Sequence, residues 1–291
     1  MSIIKTDKLT KYYGRARGII DVDLDISEGD MFGFIGPNGA GKSTTIRTLL
    51  GLISPSAGSA EIFGLDISKD RSKILSDIGY LPSEVAFYHS MKVRDVLSLS
   101  ADLRGKNCTE ESKVLCERLE LDMGKRVNEL SFGNKKKVGI VCALQHKPKL
   151  YILDEPTSGL DPLMQREFYS ILEERNQEGA TVFLSSHILS EVDRYCKRAA
   201  IIRDGKIAVT GEIDRLSYTG IKRVTVKGGK KLPSDINIKD IKAEGEVVSF
   251  LFSGEPGKLI SLISEIQPSD FTVADPDLEE VFMHFYEREG K

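Results

Sequence analysis

Gly36-Pro-Asn-Gly-Ala-Gly-Lys-Ser43, followed by Thr44, lies between two apolar segments of different period. Before it runs Met31-Phe-Gly-Phe-Ile35, which reads as a strand buried on both faces. After it, Ile46, Leu49 and Leu50 fall at helical spacing. The spacing G-x-x-x-x-G-K-[ST] between a strand and a helix is that of a phosphate-binding loop. Glycines at 36, 39 and 41 let successive backbone N–H groups converge on phosphate oxygens, aided by the positive end of the following helix. Lys42 adds a point charge toward the β- and γ-phosphates, and the Ser43 hydroxyl suits Mg²⁺. The residues expected to line a bound nucleotide are therefore Gly36, Pro37, Asn38, Gly39, Ala40, Gly41, Lys42, Ser43 and Thr44.

Outward from this loop, Leu150-Tyr-Ile-Leu153 and Thr181-Val-Phe-Leu-Ser185 repeat the pattern of a doubly buried strand. Helical patterns separate them. Asp161-Pro162 supplies an N-cap and a first-turn proline, Met164, Phe168, Ile171 and Leu172 share a face, and Gly179 closes the segment. The fold class implied is α/β, with a mostly parallel sheet. Residues 85–145 read as a helical insertion, with Val93, Val96, Leu97 and then Val114, Leu115, Leu119 at helical spacing. Lys135-Lys-Lys137 within it reads as a solvated face rather than a nucleic-acid patch.

The strand at 150–153 ends in Asp154-Glu155. Beside a phosphate loop, a buried strand carrying two carboxylates places Asp154 for the Mg²⁺ shell and Glu155 to accept a proton from an attacking water. Composition excludes other classes. A net charge of −3 without like-charge blocks leaves no basic nucleic-acid footprint. No apolar run reaches the ~18 residues of a membrane span, and no secretory h-region is visible. Cys108, Cys116, Cys142 and Cys196 lack metal-ligand spacing and read as reduced, mostly buried thiols. His89, His146 and His284 read as structural or surface residues.

After Gly211 the texture changes. Arg223–Lys227 and Val247–Phe252 read as strands, with a Gly228-Gly229 turn between them. Leu259, Ile260, Ile263 and Ile266 trace an amphipathic helix, and Asp275-Pro276 begins another with Leu278, Val281, Phe282 and Phe285 on one face. The division expected is an ATPase domain over 1–215 and a small α+β accessory domain over 216–291.

Five segments in order resemble the nucleotide-binding subunit of ATP-binding cassette (ABC) transporters, of the bacterial drug-export type, over residues 1–215. Lys11-Tyr-Tyr-Gly14 resembles the family's A-loop, with Tyr13 placed to stack on adenine. Gly36–Thr44 is similar to its Walker A loop. Leu130-Ser-Phe-Gly-Asn134 resembles the LSGGQ signature, with Phe132 and Asn134 in place of Gly and Gln. Asp154-Glu-Pro-Thr-Ser-Gly-Leu-Asp161 resembles Walker B and the D-loop, and Ser185-Ser-His187 the switch-histidine segment. The family's Q-loop glutamine, a metal-shell residue, is replaced by Ser83 and Glu84, either of which could substitute.

The resemblance implies a mechanism. Two such domains close head to tail around two ATP molecules. Ser131 and the Gly133 amide would serve the γ-phosphate held by the other copy, His187 would contact the γ-phosphate, and Asp161 would link the two sites. The partners implied are a second copy or a paralogous ATPase subunit and an integral membrane permease in a separate chain, with no nucleic acid. The protein would then sit in the cytoplasm, peripheral on the inner face of the membrane. Asp275–Phe282 resembles the ends of export-type subunits. The competing readings are a soluble ABC ATPase of translation or DNA repair and a regulatory ATP-binding module. One phosphate loop, and an insertion without sustained heptads, weigh against the former. The Asp154-Glu155 pair weighs against the latter.

Overall fold

The computed structural model describes residues 1–14, 16–213, 221–230 and 237–274. The helix expected from Asp275, with His284, lies outside the described residues. Contacts divide the chain into two compact units, Met1–Thr210 and Gly211–Lys291.

The first unit begins with β1 (Ser2–Tyr13), β2 (Ala16–Val22) and β3 (Asp25–Ser27), followed by β4 (Met31–Ile35) and α1 (Lys42–Leu49). Then come β5 (Ala57–Ile62), β6 (Leu65–Asp66), α2 (Arg71–Ser76) and β7 (Ile78–Leu81). The helical stretch holds α3 (Val93–Asp102), α4 (Thr109–Arg118) and α5 (Phe132–Leu144). β8 (Leu150–Asp154), α6 (Pro162–Gln177), β9 (Thr181–Ser186), α7 (Leu189–Tyr195), β10 (Arg198–Arg203) and β11 (Lys206–Glu212) complete it.

Two sheets result. The central one has the order β11-β10-β4-β9-β8-β7, and the pairs β10/β4, β4/β9, β9/β8 and β8/β7 are all parallel. Every residue of β4, β8 and β9 is buried, as strands covered by helices on both faces require. Phe183 of β9 stacks with Phe32 at 6.1 Å between ring centroids and meets Phe34 at 5.3 Å, joining neighbouring strands in one core. The pairings Ile35↔Ser186 and Asp154↔Ser185 bring the C-terminal ends of β4, β8 and β9 to one edge, where ligands of open parallel sheets bind.

The second sheet, order β2-β1-β5-β6 with β3 on β1, is antiparallel and was not foreseen from the sequence. Its strands are half exposed and carry polar residues such as Asp7, Lys8 and Lys11, which blur the apolar signal.

Three further expectations need correction. Residues 85–91 are not helical. In α4, Val114 is exposed, and the inward face is Ser112, Leu115 and Cys116. Lys135-Lys-Lys137 is not a solvated face. Lys136 is 1% exposed and Lys137 is buried, because α5 is enclosed almost all round from Lys136 to Val141.

The second unit contains β12 (Ile221–Lys227), β13 (Ile238–Glu244), β14 (Val247–Ser253), α8 (Pro256–Ile266) and β15 (Asp270–Ala274). An antiparallel sheet of order β13-β14-β12-β15 packs Val224, Val226, Phe250 and Phe252 against Leu259, Leu262 and Ile266 of α8. The charged strand β13 and the short β15 were missed, and α8 is rotated from its expected face, with Leu262 buried and Ile260 exposed.

One buried titratable group in the first unit sets a pH dependence. His146, just after α5, shares a hydrogen bond between Nε2 and the Ile78 carbonyl at 3.2 Å, and burial lowers its pKa to about 4. The unfolded imidazole binds a proton near pH 6.5 and the folded one does not. Stability present above pH 6.5 is therefore lost as pH falls toward 4. Urea unfolding at pH 7 and pH 5 should show a loss on the order of 1 kcal/mol that His146→Gln removes. An equal loss in the variant would assign the effect elsewhere.

Candidate functional site

The loop leaving β4 at Ile35 turns over a cavity of about 160 Å³, lined by Pro37, Asn38, Gly39, Gly41, Lys42, Ser43, Thr44 and Glu155. Gly41, the residue before α1, has φ +116°, a conformation closed to residues with a Cβ. The first turn of α1 carries no acidic residue, so its free N–H groups and positive end remain available to an anion. Gly36 and Ala40 form the base of the loop rather than its lining. Ala40 is buried, and its carbonyl accepts the Gly205 amide at 2.9 Å.

Lys42 is 5% exposed, and its ammonium donates to the carbonyls of Gly36 (2.6 Å) and Pro37 (3.2 Å). It also stands 3.4 Å from Oε1 of Glu155. Two residues not singled out from the sequence complete the cavity wall, Arg17 and Gly18. Arg17 is held by Asp204 at 2.7 Å. Nothing local in the sequence marks an arginine on β2 as a neighbour of a loop 20 residues on; only the antiparallel sheet brings it there.

The carboxylates arrive from β8. Asp154 is 1% exposed and accepts a hydrogen bond from the Ser185 hydroxyl at 2.9 Å. Glu155 lies one residue past the strand with φ +47°, a left-handed backbone that costs on the order of 1–3 kcal/mol for a non-glycine residue. Its amide donates to the Ser185 carbonyl at 3.0 Å, which holds the strained turn. The turn aims the side chain back at the loop, where Oε1 lies 3.4 Å from Lys42 Nζ and 3.2 Å from Nδ1 of His187. The structure therefore gathers the phosphate loop, Glu155 and His187 around one point, with buried Asp154 on the adjoining strand end.

His187 is about half exposed and precedes α7 rather than starting it. Its segment is braced by Ser186, whose hydroxyl accepts the Ile188 amide (2.9 Å) and donates to Glu191 (3.0 Å).

Other expected site residues lie outside the cavity lining. Tyr13 ends β1, half exposed, with its ring against Gly18 and the Lys11 ammonium 5.7 Å from the ring centroid. Ser131 caps α5 by accepting the Asn134 amide at 3.3 Å. Gly133 rests on the D-loop of the same chain, since a Cβ there would lie 2.5 Å from the Gly159 carbonyl oxygen. Phe132 covers Gly159 and leaves 59% of its own surface exposed. Asp161 caps α6 through the Met164 and Leu163 amides (3.0 and 3.1 Å), and these bonds, led by Met164, hold its carboxyl below the usual range. Ser83 is half-buried with its carbonyl bonded to Lys136, and Glu84 is exposed.

Residues 19–158 match the profile of the ABC transporter family. The chain is 36% identical to the bacitracin transport ATP-binding protein BcrA of Bacillus licheniformis, over 97% of this chain and 96% of that protein. It is 28% identical to the linearmycin resistance ATP-binding protein LnrL of Bacillus subtilis, over 97% of each. Among solved structures, the ATP-binding subunit of an ABC transporter superposes with a TM-score of 0.71 at 31% identity, covering 75% of this chain and 92% of that one. A dimeric bacterial ABC transporter cassette gives 0.66 at 26% identity, covering 72% and 98%. By these likenesses the chain belongs to the ABC transporter family as an ATP-binding and ATP-hydrolysing subunit.

Proposed function

We propose that Glu155 is the general base of ATP hydrolysis in a site that a second protein copy completes. The observation that carries this reading is the strained Glu155 turn, which sets one carboxylate oxygen 3.4 Å from the Lys42 ammonium and 3.2 Å from His187. The cradle of Gly36–Thr44 would hold the phosphates on backbone amides, with Lys42 moving from the loop carbonyls to the β/γ oxygens. Glu155 would take the proton of the attacking water. With Nδ1 facing the Glu155 carboxylate, His187 would reach a γ-phosphate oxygen through Nε2, which must carry a proton to donate to it.

Among the described residues, no group of three or more His, Cys, Asp or Glu could hold a metal ion. The hard-oxygen pair Ser43 and Asp154 fits Mg²⁺, which is bound by few protein groups together with phosphates and water. Bound there, Mg²⁺ would supply charge neutralisation along the phosphates. Tyr13, exposed beside Gly18 of the cavity wall, would stack on the adenine.

Ser131 and Gly133 do not line this cavity; they lie at the N-terminus of α5 against the D-loop. That separation supports a head-to-tail pair, in which the α5 N-terminus of one copy or paralogue meets the γ-phosphate of the other and Asp161 lies between the sites. In this reading 216–291 is an accessory domain.

The motor would drive a permease carried by a separate chain, at the inner face of the membrane. No helix among the described residues is long and apolar enough to span a bilayer. Export is the direction supported by relatives named for bacitracin transport and linearmycin resistance.

Glu155→Gln should keep ATP affinity within about twofold and lower kcat at least about 100-fold, with a closed dimer accumulating in ATP by size-exclusion chromatography. Unchanged turnover would remove Glu155 as base. Specific ATPase activity of the isolated chain should rise steeply with protein concentration until dimers saturate. Activity strictly proportional to a monomer's concentration would sink the shared site.

A further inference from the structure

Lys136, the more deeply buried of two enclosed lysines of α5, has no part in the nucleotide cavity, yet its ammonium feels the carboxylates that end β8. Lys136 is 1% exposed, and its ammonium donates to two backbone carbonyls, Pro82 at 3.0 Å and Ser83 at 2.9 Å. Both belong to the loop leaving β7, which pairs in parallel with β8 at Leu81↔Leu153. Pro82 and Asp154 each follow directly on that last paired couple. Burying an ammonium is unfavourable unless it is hydrogen-bonded and faces opposite charge. Burial lowers the Lys136 pKa to about 8, and the fields of Asp154 and Glu155 oppose that loss of charge.

A second contact on the same helix face binds the same loop. Gly139, one turn beyond Lys136, leaves room for Val85 and Leu81, whose carbons would lie 2.6 and 2.9 Å from a Cβ placed there. The 82–85 segment is thus fastened to α5 twice, by hydrogen bonds at Lys136 and by close packing at Gly139. The N-cap of α5 is Ser131, less than two turns before Lys136.

We propose that Lys136 is a positioning residue for ATP hydrolysis, whose ammonium locks the Pro82–Ser83 backbone onto α5 and so holds that loop in register with the Asp154–Glu155 carboxylates. Displacement of the loop must then either break both hydrogen bonds or carry α5, and with it Ser131. The lock acts through the loop and the carboxylates; Lys136 itself does not line the phosphate cavity. This role rests on the hydrolytic reading of Glu155. The two fail separately, because an inactive Glu155→Gln alongside a fully active Lys136→Met would leave that reading intact and remove only this one.

The full-length chain would carry Lys136→Met, which fills similar space without the charge, Lys136→Gln, which retains an amide donor, and Gly139→Ala, which presses on Val85 while leaving Lys136 in place. Steady-state ATPase assays, a fluorescent ATP analogue, thermal melting and hydrogen exchange would be read on each. Lys136→Met should lower kcat about tenfold or more while KM and analogue affinity stay within about twofold. Amides at 83–88 should exchange faster while those of α1 and β4 are unchanged. Lys136→Gln should recover part of kcat, and Gly139→Ala should reproduce the loss with Lys136 present. Wild-type kcat in Lys136→Met overturns the proposal, as does a loss that tracks nucleotide affinity and melting together. If Lys136→Met does not fold, the Lys136→Gln and Gly139→Ala results decide on the same criteria.

Discussion

The site depends on how Ser185 ties two strands together. Its hydroxyl donates to Asp154, and its carbonyl accepts the amide of Glu155, so one residue of β9 sets the positions of both carboxylates. The same strand pairs on its other side with β4, in a register that ends where the phosphate loop begins. A shift of one residue in either ladder would turn Asp154 to the opposite face and break the approach of Glu155 to Lys42. Because β4, β8 and β9 are buried on both faces, a slip would exchange one apolar face for another, and the polar ties at Ser185 discriminate the register where burial alone does not.

Around that frame, charge is arranged with little redundancy. Glu155 meets the ammonium of Lys42 and the imidazole of His187, while the fields of Asp154 and Glu155 act on Lys136 from one side. Each basic group is anchored by something other than the carboxylates: Lys42 and Lys136 by backbone carbonyls, and His187 by a segment that Ser186 and Glu191 brace. The positions of these basic groups are therefore not set by the carboxylates alone.

What could be read from the sequence follows from where local signals were strong. The P-loop, the Asp161 cap and the central strands are written in short-range patterns, and their bounds match the structure closely. The N-terminal antiparallel sheet and strand β13 were invisible because half-exposed strands rich in Lys, Asp and Glu carry no clean alternation. Arg17 and Lys136 escaped for a related reason. A charged residue has an exposed surface as its default, and only tertiary enclosure tells otherwise. The misread faces of α4 and α8 were errors of about one residue in helical phase, too small for composition to detect.

The left-handed turn at Glu155 has an evolutionary side. Glycine would occupy that conformation without steric penalty, so under the hydrolytic role proposed for Glu155 the position gives up its local conformational optimum for a base. Thermal tolerance and turnover thus pull this one site in opposite directions. A population of variants selected only for heat resistance could drift toward Glu155→Gly and gain robustness while the motor falls silent. In that reading, a glutamate at a glycine-shaped bend trades durability for work.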